Sequence, residues 1–136
     1  MKRSFLASTI CAMAFLLAGC APGQGDLKGA VTFEGKAVCS GYVNVEGGDG
    51  IVVGGEIRPD GTYEVKNIGA GKIRLAVYSP DPAEVTVLAR RPEEIPPPKD
   101  RSKWFPIPEH YSDFAKSDLT FQLSRGANPF NIELKQ

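Results

Sequence analysis

The side chains that could do chemistry in this 136-residue sequence are few, because it holds three cysteines and a single histidine. His110 is followed by Tyr111, Ser112 and Asp113, but consecutive side chains point to different sides of an extended chain, so these neighbours cannot form a nucleophile, base and orienting acid. One histidine and at most one free thiol are too few ligands for a zinc site. We therefore expect no catalytic residue, no metal and no cofactor, and the chain is predicted not to be an enzyme.

Two glycine-rich stretches carry an aspartate each, Asp49 in GGDG and Asp60 in RPDG. The alternating acidic positions of a calcium loop are absent from both. Asp60 and Gly61 instead predict a tight hairpin turn, since both residue types tolerate turn conformations. The stretch GGDGIVVGG lacks the lysine of a phosphate-binding loop and no helix follows it, which favours a flexible strand connection. The strand that follows, IVVGGEIR, is predicted to be weakened or bulged at Gly54–Gly55.

Cys20 stands in a different context. Lys2 and Arg3 precede an apolar run of about 13 residues, which is shorter than the ~20 residues of a membrane-spanning helix and typical of a bacterial secretion signal. The residues Leu17-Ala18-Gly19-Cys20 resemble the lipobox of bacterial lipoproteins. This resemblance implies that the thiol of Cys20 receives a diacylglycerol and that the chain is cleaved before it. Cleavage at another small residue, as in an ordinary signal peptide, is the alternative.

The predicted organisation is a lipoprotein signal peptide at 1–19, a tether at 20–26 and one domain at 27–136. Cleavage before Cys20 removes 19 of the 136 residues and leaves 117, which suits one modest core. Loss of Lys2 and Arg3 leaves 14 basic against 16 acidic residues, so no nucleic-acid surface is expected. Lipoproteins retained at the inner membrane often have aspartate after the cysteine, so the resemblance to lipoproteins, with Ala21 at this position, implies the outer membrane. Cys39 would then be unpaired, and we interpret it as a small packing residue.

Alternation of apolar and polar residues predicts seven short strands separated by turns, and no segment after the signal carries a helical stripe. The fold class is therefore all-β, a small sandwich of two sheets. Its predicted core consists of Val31, Phe33, Tyr63, Val65, Ile73, Leu75, Val77, Leu119, Phe121, Ile132 and Leu134.

A proline-rich insertion at about 80–110, which contains eight of the eleven prolines, interrupts the alternation of apolar and polar residues. The stretch AEVTVLA within it is a candidate for a short extra strand, and the segment Pro92 to Pro108 is predicted to be the most mobile part of the domain. Trp104, Phe105 and Tyr111 are the candidate binding residues, because aromatic side chains on a stiff loop can stack on a sugar or hold a peptide. The favoured interpretation, however, is that they close the open end of the core, because a small sandwich needs such side chains there.

Three longer stretches carry a second resemblance: GAVTFEGKAVCSGYVNVE, IRPDGTYEVKNIGAGKIRLAVYSP and IPEHYSDFAKSDLTFQLSRGANPFNIEL. They resemble bacterial exported lipoproteins with a carboxypeptidase-regulatory-like domain, which implies a seven-stranded transthyretin-like (Ig-like) sandwich without a catalytic set. The expected function is that of a lipid-anchored, non-enzymatic module of the cell envelope with a structural or interaction role. The alternative is a lipoprotein that binds carbohydrate or peptide through the Trp104 loop. The expected partners are the membrane, through lipid on Cys20, and an envelope protein or glycan.

Overall fold

The structure, a computed structural model, describes residues 23–82 and 101–136. The predicted signal peptide, Cys20, the candidate strand in AEVTVLA and most of the proline-rich insertion lie outside the described residues. Within them the chain forms two β-sheets that pack on one shared core, so the all-β sandwich is confirmed.

Nine strands are present in the described residues. In chain order they are β1 (Gln24–Phe33), β2 (Lys36–Ala37), β3 (Tyr42–Glu46), β4 (Val52–Glu56), β5 (Thr62–Gly69), β6 (Gly71–Tyr78), β7 (Leu119–Leu123), β8 (Gly126–Pro129) and β9 (Ile132–Leu134). A short 3-10 helix, Glu109–Ser112, precedes β7.

The first sheet is built around β1, which pairs antiparallel with β2 and β5 and parallel with β8 and β9. The second sheet has the order β4-β3-β6-β7 and is antiparallel throughout. Successive residues of a strand face opposite sides of its sheet, so each strand contributes alternate side chains to the space between the sheets. That space holds the core.

The predicted core is confirmed for eight of its eleven residues, which are buried: Val31, Tyr63, Val65, Ile73, Leu75, Val77, Ile132 and Leu134. The other three, Phe33, Leu119 and Phe121, are half-buried and pack against that core. Leu27, Val43 and Val45 are also fully buried, in agreement with the alternation of β1 and β3.

The predicted count of seven strands is wrong for two local reasons. Glu34 and Gly35 form a two-residue turn with positive φ angles of 48° and 81°, which folds Lys36–Ala37 back onto β1 as a short extra strand. The RGAN stretch, predicted to be a turn, enters the sheet as β8 instead. A break separates β8 from β9, because the side-chain oxygen of Asn131 accepts the N–H of Ala30 at 3.0 Å.

The turn at Pro59–Gly61 forms as predicted, with the N–H of Arg58 donating to the carbonyl of Thr62 at 2.8 Å. The strands on either side are not a hairpin pair, however. β4 belongs to the second sheet and β5 to the first, so this turn carries the chain from one sheet to the other. A local turn sequence cannot report which sheet each flanking strand joins.

Of the two predictions for Gly54–Gly55, a weakened or a bulged strand, the bulge is wrong, since β3 and β4 pair in continuous register through both glycines. The irregularity lies in β1, where the register shifts between Gly25 and Leu27. Gly55 is needed for a different reason: a Cβ at this position would overlap the main-chain oxygen of Glu64 on β5. The glycine therefore permits the edges of the two sheets to approach closely.

Candidate functional site

The start of β1 is the part of the described chain that lies nearest to Cys20 in sequence. The carbonyl of Gly23 accepts the N–H of Ala70 at 2.8 Å, and Gln24 pairs with Gly69. β1 thus begins three residues before the predicted domain start at Leu27. Ordered strand takes up 24–26 of the segment that the sequence predicts as a tether, so only 21–23 separate Cys20 from the sheet.

Three connections surround this start and are called here the N-terminal end of the sandwich: the loop 47–51, the turn 69–71 and the turn 124–126. The N–H of Gly48 donates to the carbonyl of Gly69 at 2.9 Å, which joins the first two. The third is held by Asn128, which is 7% exposed. Its amide donates to the carbonyls of Ser124 and Gly126 at 2.7 and 3.0 Å. The N-terminal end is therefore fixed by main-chain and side-chain hydrogen bonds.

The loop 47–51 is shaped by Asp49, whose Oδ1 accepts the N–H of Ile51 at 3.0 Å. The carboxyl of Asp49 also lies against the Cα of Gly69, because a Cβ there would overlap it. This folded-back carboxylate leaves Ile51 at the end of the loop and 61% exposed, followed by Val52 at 54%. Two consecutive apolar side chains thus face solvent beside the start of β1.

Charged groups of both signs lie at the N-terminal end. Asp26 accepts the N–H of Asn67 at 3.0 Å, so its carboxylate supports the main chain of β5. Lys72 is exposed in β6, directly after the turn 69–71. The side chain of Arg125 lies against Gly23, where a Cβ would overlap it. Asp49 is the second acid, and Glu46, next to the loop 47–51, pairs with Arg74 of β6. Three acids and three bases here give a locally balanced charge.

Tyr111, one of the candidate binding residues, lies in the core and is 8% exposed. Its hydroxyl donates to the carbonyl of Lys135 at 2.8 Å and accepts the N–H of the same residue at 3.0 Å. Phe105 is half-buried and stacks on Phe33 with ring centroids 6.0 Å apart. Both side chains therefore pack at the end of the sandwich where β1 finishes.

Trp104 is half-buried at the return of the proline-rich insertion. Its Nε1–H donates to the carbonyl of Ser79 at 3.3 Å, and the guanidinium of Arg101 lies 5.9 Å from its ring centroid. Arg101 also pairs with the carboxylate of Asp81 at 2.7 Å. Residues 79–81, where the insertion begins, are thus joined to residues 101–104 in its second half. The structure brings Trp104 and Phe105 to the end of the sandwich where β1 finishes, and Tyr111 lies deeper in the core at the same end.

His110, the single histidine, is exposed and its ring lies against Tyr111 with centroids 4.1 Å apart. The neighbouring hydroxyl of Ser112 donates to the carbonyl of Glu109 at 2.7 Å, within the 3-10 helix. The side chain of Asp113 accepts the N–H of Ala115 at 2.8 Å. The polar groups of this segment are therefore engaged in local structure.

A shallow groove of about 540 Å³ runs between β4 and β5 and is lined by Val53, Gly54, Glu56, Arg58, Glu64 and Lys66. Glu64 pairs with Arg58 at 3.4 Å and with Lys66 at 3.5 Å. Exposed pairs of this kind contribute about 0–1 kcal/mol each. The groove thus presents mutually paired surface charges.

Asp60 and Tyr63 are the two groups of this region with a shifted pKa. Asp60 accepts hydrogen bonds from the hydroxyl of Thr62 at 2.6 Å and from its N–H at 3.0 Å. These bonds lower the pKa of Asp60 below its usual 3.8. Burial raises the pKa of the Tyr63 phenol, whose hydroxyl donates to the carbonyl of Phe130 at 2.7 Å. Both residues hold main chain in place.

The described residues contain no group of three or more histidine, cysteine, aspartate or glutamate side chains that could hold a metal ion. Cys39 is a free, half-buried thiol. No helix within 23–82 or 101–136 has the length and apolar character to cross a membrane.

A comparison with solved structures finds a match of low similarity. A crystal structure of a DUF3823 family protein from Parabacteroides merdae matches 83% of this chain at 16% identity, with a TM-score of 0.44. The match covers 46% of that protein, so this chain spans less than half of its length. No family model matches the chain, and neither does any curated protein.

The exposed pair Ile51 and Val52 is the feature that sequence reasoning missed. The alternation of residues predicted a third strand in IVVGGEIR. It did not predict which side chains at the start of this stretch would be exposed to solvent. The signal was present: three consecutive apolar residues, Ile51 to Val53, cannot all face one side of a strand. The exposed tyrosines Tyr42 and Tyr78, which pair across β3 and β6, were likewise on the outward register.

Proposed function

We propose that this protein is a lipoprotein of the bacterial cell envelope, held to a membrane by lipid on Cys20, whose β-sandwich is a non-enzymatic structural or interaction module. The observation that carries the proposal is the position of β1, which begins at Gln24, four residues after the lipobox-like cysteine. A cysteine so close to an ordered strand suits an attachment point at the edge of a folded domain. The outer membrane is the proposed location, on the basis of Ala21.

The resemblance to carboxypeptidase-regulatory-like domains supports the module part of this proposal, since such domains carry no catalytic set. The two-sheet architecture is compatible with that resemblance. The side chains around His110 support it further, because Ser112 and Asp113 bond to neighbouring main chain rather than to the imidazole.

The alternative function is binding of carbohydrate or peptide through the Trp104 loop. It predicts that Trp104→Ala abolishes binding while the fold persists. The geometry favours a structural role for these aromatics, because the indole N–H is donated to Ser79 and Phe105 stacks on Phe33. We therefore propose attachment and interaction at the envelope as the function, with no enzymatic step.

The experiment compares Cys20→Ser with the parent, each expressed as the full chain in a bacterium. Attachment through two or three acyl chains is effectively stable, whereas one chain binds only marginally. We expect the parent in the membrane fraction with an acylated N-terminal peptide detected by mass spectrometry. We expect Cys20→Ser as unprocessed precursor or as released protein.

Cys39→Ser is the matched control, because it removes the other thiol of the mature chain and should fractionate as the parent does. The proposal fails if Cys20→Ser is processed and distributed between the fractions as the parent is.

A further inference from the structure

We propose that the N-terminal end of the sandwich lies on the bilayer surface, with Ile51 and Val52 inserted at the membrane interface. The inference rests on the proposed attachment at Cys20 and adds to it an orientation and a lipid-binding surface. Its occupant is the lipid of the same membrane that carries the acyl chains.

The length of chain between the lipid and the fold is the first argument. Residues 21–23 separate Cys20 from Gln24, and three residues span at most about 10 Å when extended. Gly23 is already bonded to Ala70, which shortens the free segment further. The start of β1 therefore lies within about 10 Å of the lipid-bearing residue, which is about twice the spacing between neighbouring strands.

The position of the exposed apolar side chains is the second argument. Ile51 and Val52 are the two most exposed of the large hydrophobic residues that the structure describes, at 61% and 54%. Ile51 ends the loop 47–51 and Val52 directly follows it. This loop is hydrogen-bonded through Gly48 to Gly69, and Gly69 pairs with Gln24 at the start of β1. The apolar surface thus sits at the end that the short connection holds against the membrane.

The polar groups at this end are compatible with a lipid surface. Asp49 directs a carboxylate oxygen to the N–H of Ile51, so this charge stabilises the loop itself. The side chains of Lys72 and Arg125 are long, and such side chains can keep their cationic heads at phosphates while their stems remain in a more apolar layer. Glu46 and Arg74 lie in register with Val52 across β3, β4 and β6, and they pair with each other. Because acids and bases balance at this end, insertion of Ile51 and Val52 drives the contact, and the fraction of anionic lipid has a minor effect.

The far end of β1 provides the contrast. β1 has ten residues, which at about 3.3 Å each gives a strand of about 33 Å. Lys36 pairs with Phe33 at that far end and is exposed. An upright domain holds Lys36 well above the headgroups, whereas a domain lying on its side brings it to the same depth as Ile51.

The test uses the full-length acylated protein in a Cys39→Ser background, with a single new cysteine carrying an environment-sensitive fluorophore. Ile51→Cys is the probe at the interface, Lys72→Cys a second probe at the same end, and Lys36→Cys the matched control. Each protein is reconstituted into phosphatidylcholine vesicles with a minor fraction of phosphatidylglycerol, with and without brominated acyl chains. We expect bromine to quench the emission at position 51 by about half or more, since interfacial groups lie about 5–10 Å into the headgroup and acyl boundary.

We further expect weaker quenching at position 72 and none at position 36. Equal quenching at 51 and 36, or none at 51 and 72 in protein that is acylated and bound to vesicles, overturns the orientation while leaving the attachment at Cys20 intact. Protein that is neither acylated nor recovered with vesicles overturns both proposals, and fractionation before labelling identifies that case.

Discussion

The phenol oxygen of Tyr111 holds the main chain of Lys135 through both of its polar groups, donating to the carbonyl at 2.8 Å and accepting from the N–H at 3.0 Å. Lys135 directly follows β9, and Tyr111 belongs to the 3-10 helix within the long connection between β6 and β7. One buried hydroxyl therefore joins the returning chain to the last strand of the other sheet. This relationship agrees with the interpretation that Tyr111 closes one end of the core, and it identifies Lys135 as the residue whose main chain it holds.

Tyr111→Phe removes this hydroxyl without changing the packing of the ring. We expect a loss of about 1–3 kcal/mol in the free energy of unfolding, because two main-chain groups lose their partner. Urea unfolding of the mature domain measures it. Tyr42→Phe is the control, since Tyr42 is 48% exposed and its hydroxyl makes no hydrogen bond within the described residues. Equal stability of the two variants would contradict the role assigned to Tyr111.

Leu75→Ala tests the register that places alternate residues of β6 in the core. Leu75 is fully buried and pairs with Val45 on β3. Truncation should cost about 2–5 kcal/mol, because the lost transfer free energy and the cavity add. Thr120→Ala, on the exposed side of β7, should cost far less in the same urea titration. Equal losses would show that the two side chains do not differ in burial in solution.

The close approach of β4 to β5 predicts different effects for two adjacent glycines. A Cβ at Gly55 would overlap the main-chain oxygen of Glu64, which cannot move without separating the sheet edges. A Cβ at Gly54 would lie 2.7 Å from the side-chain oxygen of Asn44, which can rotate away. Gly55→Ala should therefore lose about 1–3 kcal/mol of stability, as overpacked sites do.

Gly54→Ala is the matched control and should lose much less in thermal unfolding, which compares the two variants and the parent. A larger loss for Gly54→Ala than for Gly55→Ala would contradict the assignment of the contact to the main chain of β5.

The sequence predicted the sandwich and most of its core because alternation is a local property that a half-buried strand must show. Val31, Tyr63 and Leu75 illustrate this, since each occupies the apolar phase of a clear two-residue period. Pairings between distant strands leave no comparable local mark. The parallel partners of β1, β8 and β9, were partly missed because glycine, asparagine and proline in RGANP are typical of turns.

The candidate site was less predictable than the fold, for the same physical reason. Tyr111 and Trp104 lie seven residues apart in similar aromatic surroundings, yet one is buried and the other half-exposed. Their difference is set by Lys135 and Ser79, residues of distant elements. Exposure of Ile51 likewise follows from the folded-back carboxylate of Asp49.

The turn that carries the chain between the sheets makes a prediction for acidic pH. Asp60 Oδ1 accepts hydrogen bonds from the hydroxyl of Thr62 at 2.6 Å and from the N–H of the same residue at 3.0 Å. Both bonds hold the pKa of Asp60 below 3.8, and the bond from the hydroxyl has the larger effect. Because the folded-state pKa is the lower one, the carboxylate stabilises the folded protein above pH 3.8. That contribution is lost as the pH falls through the folded-state pKa.

Thr62→Val removes the hydroxyl, keeps the branched side chain that suits a strand, and leaves the N–H in place. We expect the pKa of Asp60, followed by NMR of its carboxyl carbon, to rise toward 3.8 without reaching it. The variant should also lose less stability than the parent between pH 3.8 and the parent's folded-state pKa, since less of its stability depends on the ionised carboxylate. Thr62→Ser restores the hydroxyl and should return the pKa to the parent value. An unchanged pKa in Thr62→Val would mean that the N–H and Arg58 alone set the ionisation of this turn.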